Sequence, residues 1–458
     1  MSNKPGSYRI PPVIQTPQRW MTAAGFAALA YMILVALHLV PANGWVLAST
    51  LLILSLSIAG FAWLGHARRL PGIHHDGIWF SSLSSRGLVA WLAAALLTFF
   101  YCLLYWKGEW LGLRTEGNVG LVGLFDPLSH WLKGHPASQW FVYGVLYTLA
   151  ILAFGFKFIL KYRHNRYQVL RTLSTMFFQL AFAFLLPEFF MRMNLPYNDL
   201  KNMWPLNYYF FDAWNIDSLL AAGGAGKFFL VFGILMVLAI SPTLCFFFGK
   251  RWYCSWVCGC GGLAETAGDP FRHLSSKSTR AWHIEQWLLY PILLFSLVMT
   301  AGVLYSYFSG QAQLMGISTA SLRAWYGFAV GAAFSGIVGV GFYPLLGSRV
   351  WCRFGCPMAA LLGIQQKFFS RFRITTNGGQ CISCGNCSSY CEMGIDVRAY
   401  AQRGQSVVRA SCVGCGICAA VCPRGVLRLE NGPRLNRESS SPLASSIHNS
   451  SFNHPQGA

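Results

Sequence analysis

The stretch CISCGNCSSYC, residues 381–391, decides the reading of this chain, and it recurs as CVGCGICAAVCP at residues 412–423. Each copy spaces four cysteines by two, two and three residues: Cys381, Cys384, Cys387 and Cys391, then Cys412, Cys415, Cys418 and Cys422. Four thiolates so spaced form a tight loop with the sulfurs turned inward, as a cubane iron–sulfur cluster requires. Zinc knuckles instead pair two C-x-x-C units across a longer spacer and often recruit histidine. No histidine lies between Arg349 and Arg437. A disulfide framework belongs to small secreted domains.

Two such runs in series form the bacterial two-cluster ferredoxin pattern, in which the fourth cysteine of each run ligates the other cluster. By that rule Cys381, Cys384, Cys387 and Cys422 hold one 4Fe–4S cluster, and Cys412, Cys415, Cys418 and Cys391 hold the second. The first run departs in one place: Glu392 follows Cys391 where proline follows Cys422. That proline shapes the chain and is not a ligand, so the cluster reading stands.

Outward from this module the chain turns apolar. Of 458 residues, 54% are hydrophobic and only 11% charged, which fits a polytopic membrane protein better than a soluble core. The formal charge of +20 is explained by basic loops. No basic run is interleaved with aromatics in a nucleic-acid pattern, so nucleic acid is excluded as a partner. Eight segments are long enough to cross a hydrocarbon core of about 30 Å. They are Trp20–Val40, Trp45–Leu64, Leu88–Trp106, Trp140–Ile159, Leu170–Met191, Lys227–Phe248, Trp287–Phe308 and Trp325–Leu346. Many begin or end in Trp or Tyr, as interfacial anchors do. Val40-Pro41-Ala42 resembles a cleavage site only weakly, and the first apolar run outlasts a signal-peptide core, so a retained helix is expected.

The loops set the orientation. With the N-terminus inside, the inner loops hold Arg68, Arg69 and Arg86, then Lys161, Arg163, Arg166 and Arg171, then Lys250, Arg251, Arg272, Lys277 and Arg280. The outer loops hold Lys107, Arg114 and Lys133, then Arg192 and Lys201, then Arg323 alone. This predicts an inner-membrane, N-in/C-in protein with a cytoplasmic ferredoxin module. The expected organisation is mostly α. Residues 1–19 form a cytoplasmic segment and 20–357 the eight-helix membrane domain. Residues 358–373 form an amphipathic surface helix, 374–432 a small α+β two-cluster ferredoxin module and 433–458 a disordered tail. Val407, Val408 and Val426–Leu429 read as its strands. Two long outer loops, Lys107–Gln139 and Asn194–Gly226, read as connecting caps.

Two further cysteine pairs close predicted helices six and eight: Cys254-x-x-x-Cys258, with Cys260 close behind, and Cys352-x-x-x-Cys356-Pro357. If either continues as helix, its two thiols share a face. Together Cys254, Cys258, Cys352 and Cys356 form a candidate thiolate metal site, with Cys260 as an extra thiol. Lys250, Arg251, Arg349 and Arg353 are candidates to favour thiolate there.

The repeated C-x-x-x-C-(P) helix end followed by a two-cluster ferredoxin resembles the NapH/NosR/CcoG group of membrane polyferredoxins, over about Gly249–Leu429. In the first copy Gly259 stands where the family has proline, and Cys260 is added. No flavin-binding domain of the NosR kind or immunoglobulin-like domain of the CcoG kind is evident, so the resemblance is nearest NapH-like proteins or a sister branch. It implies electron transfer between 4Fe–4S clusters and a protein redox partner, with quinol as a further carrier and the chain as a component of an oxidoreductase system. The alternatives are copper reduction or cofactor assembly at the helix-end cysteines, and a redox-sensing regulator. Glu188, late in helix five, is a candidate for proton exchange with quinol. His38 lacks a partner histidine, the His74–His75 pair reads as solvated loop, and Cys102 and Cys245 read as packing residues.

Overall fold

The computed structural model describes residues 16–67, 71–72, 83–314 and 316–432; the His74–His75 pair and the predicted tail lie outside them. Eight helices are long and apolar enough to cross a membrane. They are α1 (Thr16–Ala36), α2 (Gly44–His66), α3 (Leu88–Trp106), α4 (Gln139–Lys161), α5 (Arg166–Arg192), α6 (Gly223–Phe248), α7 (Thr279–Ser309) and α8 (Thr319–Gly341). Side-chain oxygens close several of their starts, since the first helical N–H groups lack an internal partner. Asn43 accepts from Val46 at the head of α2, and Ser138, Asn165 and Ser278 do the same for α4, α5 and α7. The outward faces carry bulky apolar side chains such as Trp45, Leu96, Leu238 and Trp287, as a lipid-facing surface does.

α1 and α2 form a hairpin against α4, α3 lies along α8, and α5 packs on α4. Three of the spans carry stretches of wider π turn: Phe178–Leu185 in α5, Met236–Ile240 in α6 and Gly327–Val338 in α8. Pro187 and Pro242 follow the first two and remove a backbone donor, which forces the local rearrangement.

Helix α8 ends at Gly341, five residues before the predicted Leu346, because a separate turn, Tyr343–Leu346, follows it. The predicted surface helix also differs. It runs Pro357–Phe369, and Met358, Ala359, Ala360, Leu362, Gly363 and Gln366 are buried. It packs on α7 and the end of α6, so only its last residues, Phe368 and Phe369, are strongly exposed. Residues Phe372–Thr376 then form a strand antiparallel to Leu427–Asn431, which clasps the two ends of the ferredoxin module. Val407 joins through a single bridge to Ile374.

The outer loop before α6 is more than a cap. Met203, Trp204 and Phe210 are buried, Trp204 Nε1 donates to Thr300 Oγ1 of α7 (2.9 Å), and Lys201 O accepts from the Tyr253 hydroxyl (2.9 Å). Tyr253 follows α6, whereas Lys201 precedes it. These segments lie at opposite ends of α6 in sequence and are joined by this bond.

Candidate functional site

The eight ferredoxin cysteines divide between two small cavities. Cys381, Cys384, Cys387 and Cys422 line the first, with Ile382, Pro423 and Leu427 among their neighbours. Cys391, Cys412, Cys415 and Cys418 line the second, with Ile374, Ile395 and Val407. Glycines with positive φ, among them Gly385, Gly414 and Gly416, let the chain curl round each cavity. Beside the sulfurs the linings are mainly apolar, with Ser383, Arg398 and Arg424 at the first and Glu392 at the second, so thiolate is the prevailing donor, as suits a multi-iron sulfide cluster. Cys384 is exposed at the first cavity. The second faces the membrane domain.

That contact is built from consecutive carbonyls. Gln366 Nε2 donates to Cys412 O (2.8 Å), Ser255 Oγ to Val413 O (2.8 Å), the Tyr167 hydroxyl to Gly414 O (2.8 Å) and Gln168 Nε2 to Cys415 O (2.9 Å). The Cys412–Cys415 turn cannot bond these groups internally, so the membrane domain satisfies them. Arg251 lies over the Phe372 ring at 4.6 Å.

Glu392 locks the other side. It is fully buried, with Arg272 Nη1 at 2.7 Å and Arg349 Nε at 3.0 Å, and its carbonyl accepts from Ser275 Oγ at 2.7 Å. Burial alone would raise its pKa, but the Arg272, Arg349 and Arg171 guanidiniums outweigh it and hold the carboxyl below its ordinary value. Glu265 completes the network, paired with Arg171 and Arg349, and Asp269 pairs with Arg272 and Lys161. Glu265, Glu392 and Cys415 come close enough to suggest a metal site. The three arginines already occupy the two carboxylates, so the group is an ion-pair lattice. Sequence reasoning met Glu392 only as a missing proline and had no signal for Glu265.

The helix-end motifs do not continue as straight helices. Gly249 (φ 68°) and Gly347 (φ 100°) each break the chain five residues before the first cysteine, with Arg251 and Arg349 following at the same offset. In both copies the second cysteine's N–H then reaches back to the residue before the first: Cys258 N to Tyr253 O at 2.8 Å, and Cys356 N to Trp351 O at 2.9 Å. Cys258 and Cys356 each stand at the head of the next helix, Gly259–Thr266 and Pro357–Phe369. The motifs are thus one local structure used twice. Their four thiols lie in one buried cluster, though among the described residues no three thiols come within 4.8 Å of one another.

The basic residues beside them are mostly committed elsewhere. Arg353 pairs with Glu285, Lys250 Nζ reaches Ala359 O, and Arg251 stacks on Phe372. Only Arg349 reaches a thiol, its Nη1 lying 3.6 Å from Cys352 Sγ. Of the four cations expected to favour thiolate, Lys250 and Arg349 act on Cys254, against its burial, while Arg251 and Arg353 are engaged by Phe372 and Glu285.

Cys260 leaves this cluster sideways. With Cys352 it lines a small cavity walled by Tyr101, Tyr105, Tyr143, Tyr147 and Tyr343. Ser348, on the same wall, is buried and its Oγ has no hydrogen-bond partner. Away from the site, Glu188 is paired with Lys133 (3.6 Å), which accounts for its burial. His38 is exposed and lies beside Gly120, and buried Cys245 reaches Leu362 O through its Sγ.

Comparison with known proteins bears on the module and on the membrane domain's company. Residues 380–427 match the 4Fe-4S dicluster domain family. Over 160 residues, 32% of this chain, the sequence is 27% identical to YccM of Escherichia coli (strain K12), a protein provisionally named for electron transport. The match covers 43% of that relative, so the chain spans less than half its length. No solved structure matches. These likenesses support a membrane protein with an iron–sulfur ferredoxin module and single out no branch of the NapH/NosR/CcoG group.

Proposed function

We propose that the protein is an electron-transfer component of the inner membrane. In this reading Cys381, Cys384, Cys387 and Cys422 would hold one cluster, on the side where Cys384 is exposed to a redox partner. Cys391, Cys412, Cys415 and Cys418 would hold a second, against the membrane domain that carries the helix-end thiols. When bound, the clusters supply one-electron redox chemistry. The chain holds them in a fixed order, shields the second from water and aims it at the bundle. One observation carries the reading: the Cys412–Cys415 turn gives four successive carbonyls to donors on the membrane domain, which makes the module a fixed part of it. The charge bias of the loops supports a cytoplasmic position for this face. The relative's electron-transport name fits the same role.

The tyrosine-walled cavity favours quinol as the carrier on the membrane side, because phenol and serine hydroxyls at Tyr101, Tyr143 and Ser348 suit a quinone's carbonyl oxygens. A single copper or zinc ion at the helix-end thiols fits less well. Thiolates on one tetrahedral ion stand about 3.8 Å apart, and no three of these approach within 4.8 Å. The test is anaerobic reconstitution of the full chain in detergent. About eight irons per chain and a low-potential cluster signal by electron paramagnetic resonance are expected; a chain that retains only zinc would end the proposal.

A further inference from the structure

The added thiol of the first helix-end motif has no counterpart in the second, where Met358 stands at the matching position. Cys260 follows Cys258 after one glycine, a separation that keeps their Cα atoms within about 7 Å, the reach of a disulfide. Gly259 sits close against its neighbours: a Cβ there would meet Gln179 Oε1 at 2.6 Å, so the Gln179 side chain would have to move. The Cys258 N–Tyr253 O bond fixes the turn that carries the pair. Lys201, from the loop before α6, lies 3.6 Å from the same Cβ position and is itself paired with Asp199. Cys260 opens on the tyrosine cavity, whereas Cys258 is buried toward the helix-end cluster.

We infer that Cys258 and Cys260 form a redox-active dithiol that interconverts with a disulfide. A disulfide stores two electrons and two protons, whereas each iron–sulfur cluster carries one electron and no proton. In the reducing direction the Cys258 Sγ–Cys260 Sγ bond breaks, one electron arrives from each of the two reduced 4Fe–4S clusters, and two protons are taken up to leave two thiols. The reverse step forms the bond, releases two protons and returns one electron to each cluster. The pair thus joins one-electron carriers in the module to two-electron chemistry in the cavity. The inference rests on the proposed function for its electron source, but its thiol chemistry stands apart from the clusters.

The test uses the full chain in detergent under nitrogen. One sample is poised oxidised and one is reduced with dithionite; both are then quenched in acid, alkylated under denaturing conditions and mapped by mass spectrometry. The oxidised sample is expected to give a peptide in which Cys258 and Cys260 are both unalkylated and about 2 Da lighter, and the reduced sample one with both alkylated. Cys260→Ser is expected to keep both cluster signals while a reductive titration consumes about two fewer electrons per chain. Alkylation of both residues in the oxidised sample would overturn the inference, as would an iron count of about twelve with Cys258 ligating a third cluster. A chain that lacks cluster signals yet forms the disulfide would refute the proposed relay and leave the dithiol in place.

Discussion

Replacing Glu392 with Gln tests whether the ferredoxin module is rigidly seated. The substitution keeps shape and removes charge from a side chain that is wholly buried between Arg272 (2.7 Å) and Arg349 (3.0 Å). Breaking a buried pair by neutralising one partner typically costs about 3–5 kcal/mol, because the remaining charge is left uncompensated. Here the orphaned cations keep other partners, Asp269 for Arg272 and Glu265 for Arg349, so the lower end of that range applies. About 3 kcal/mol shifts the ratio of seated to unseated module roughly 100-fold. The Ser275 bond to the Glu392 carbonyl survives, so the module should loosen without unfolding. Hydrogen exchange on the reconstituted chain reads this at the Cys412–Cys415 turn, with iron content as the control. Amides there should exchange about two orders of magnitude faster in E392Q at unchanged iron. Equal protection in both proteins would refute the seating argument. So would full additivity of E392Q with Arg272→Met, since directly paired residues should couple.

Other expectations follow from the same geometry. Cys384→Ser and Cys415→Ser should each lower the iron count of the reconstituted chain by about half, because they line different cavities. Gly336→Ala should destabilise the chain by about 1–3 kcal/mol and abolish binding of a quinone analogue, since its Cβ would meet Tyr101 and Tyr105 at 2.8 Å; a thermal melt and a binding titration check it. For pH, the guanidiniums of Arg272 and Arg349 hold the folded Glu392 carboxyl below its ordinary value of 4.5. Its contribution is therefore complete above that value and lost as pH falls through the depressed one. Module protection by hydrogen exchange should be flat from pH 7 to about pH 5 in the wild type.

The eight spans and the cluster cysteines were legible because each is a local pattern: long apolar runs, and sulfur spacings confined to a few residues. The seating of the module was not, because Glu392 and Arg272 lie 120 residues apart and only folding brings them together. The one local trace was the glutamate standing where the second run has proline. The helix-end cysteines misled in a different way. Spacing of i and i+4 suggested a shared helix face, but Gly249 and Gly347 turn the chain before each motif, and the second cysteine heads a new helix. The surface helix failed for lack of context as well: its small residues, Ala359, Ala360 and Gly363, permit close packing on α7 and the end of α6.

The repeated motif also explains why a membrane domain of this size is needed. Each copy must leave a spanning helix, reverse through a positive-φ glycine and present its thiols inward while its backbone stays satisfied. Non-helical backbone at membrane depth is tolerated only where protein buries it. The outer loop supplies that cover for the first copy, through Lys201 O and the buried Met203 and Trp204. Helix α8 and Arg349 supply it for the second: Phe334 packs on Trp351, and Arg349 Nη1 reaches Cys254 O across to the first copy at 3.2 Å. Arg349 thus touches both motifs as well as Glu392 of the module. A change at this one side chain should disturb the seating of the module and the geometry of the thiols together. Arg349→Lys, which keeps the charge but not the fork, should therefore raise exchange at the Cys412–Cys415 turn and alter trapping of Cys258 and Cys260 in the same sample. Either effect without the other would show that the two regions are held independently.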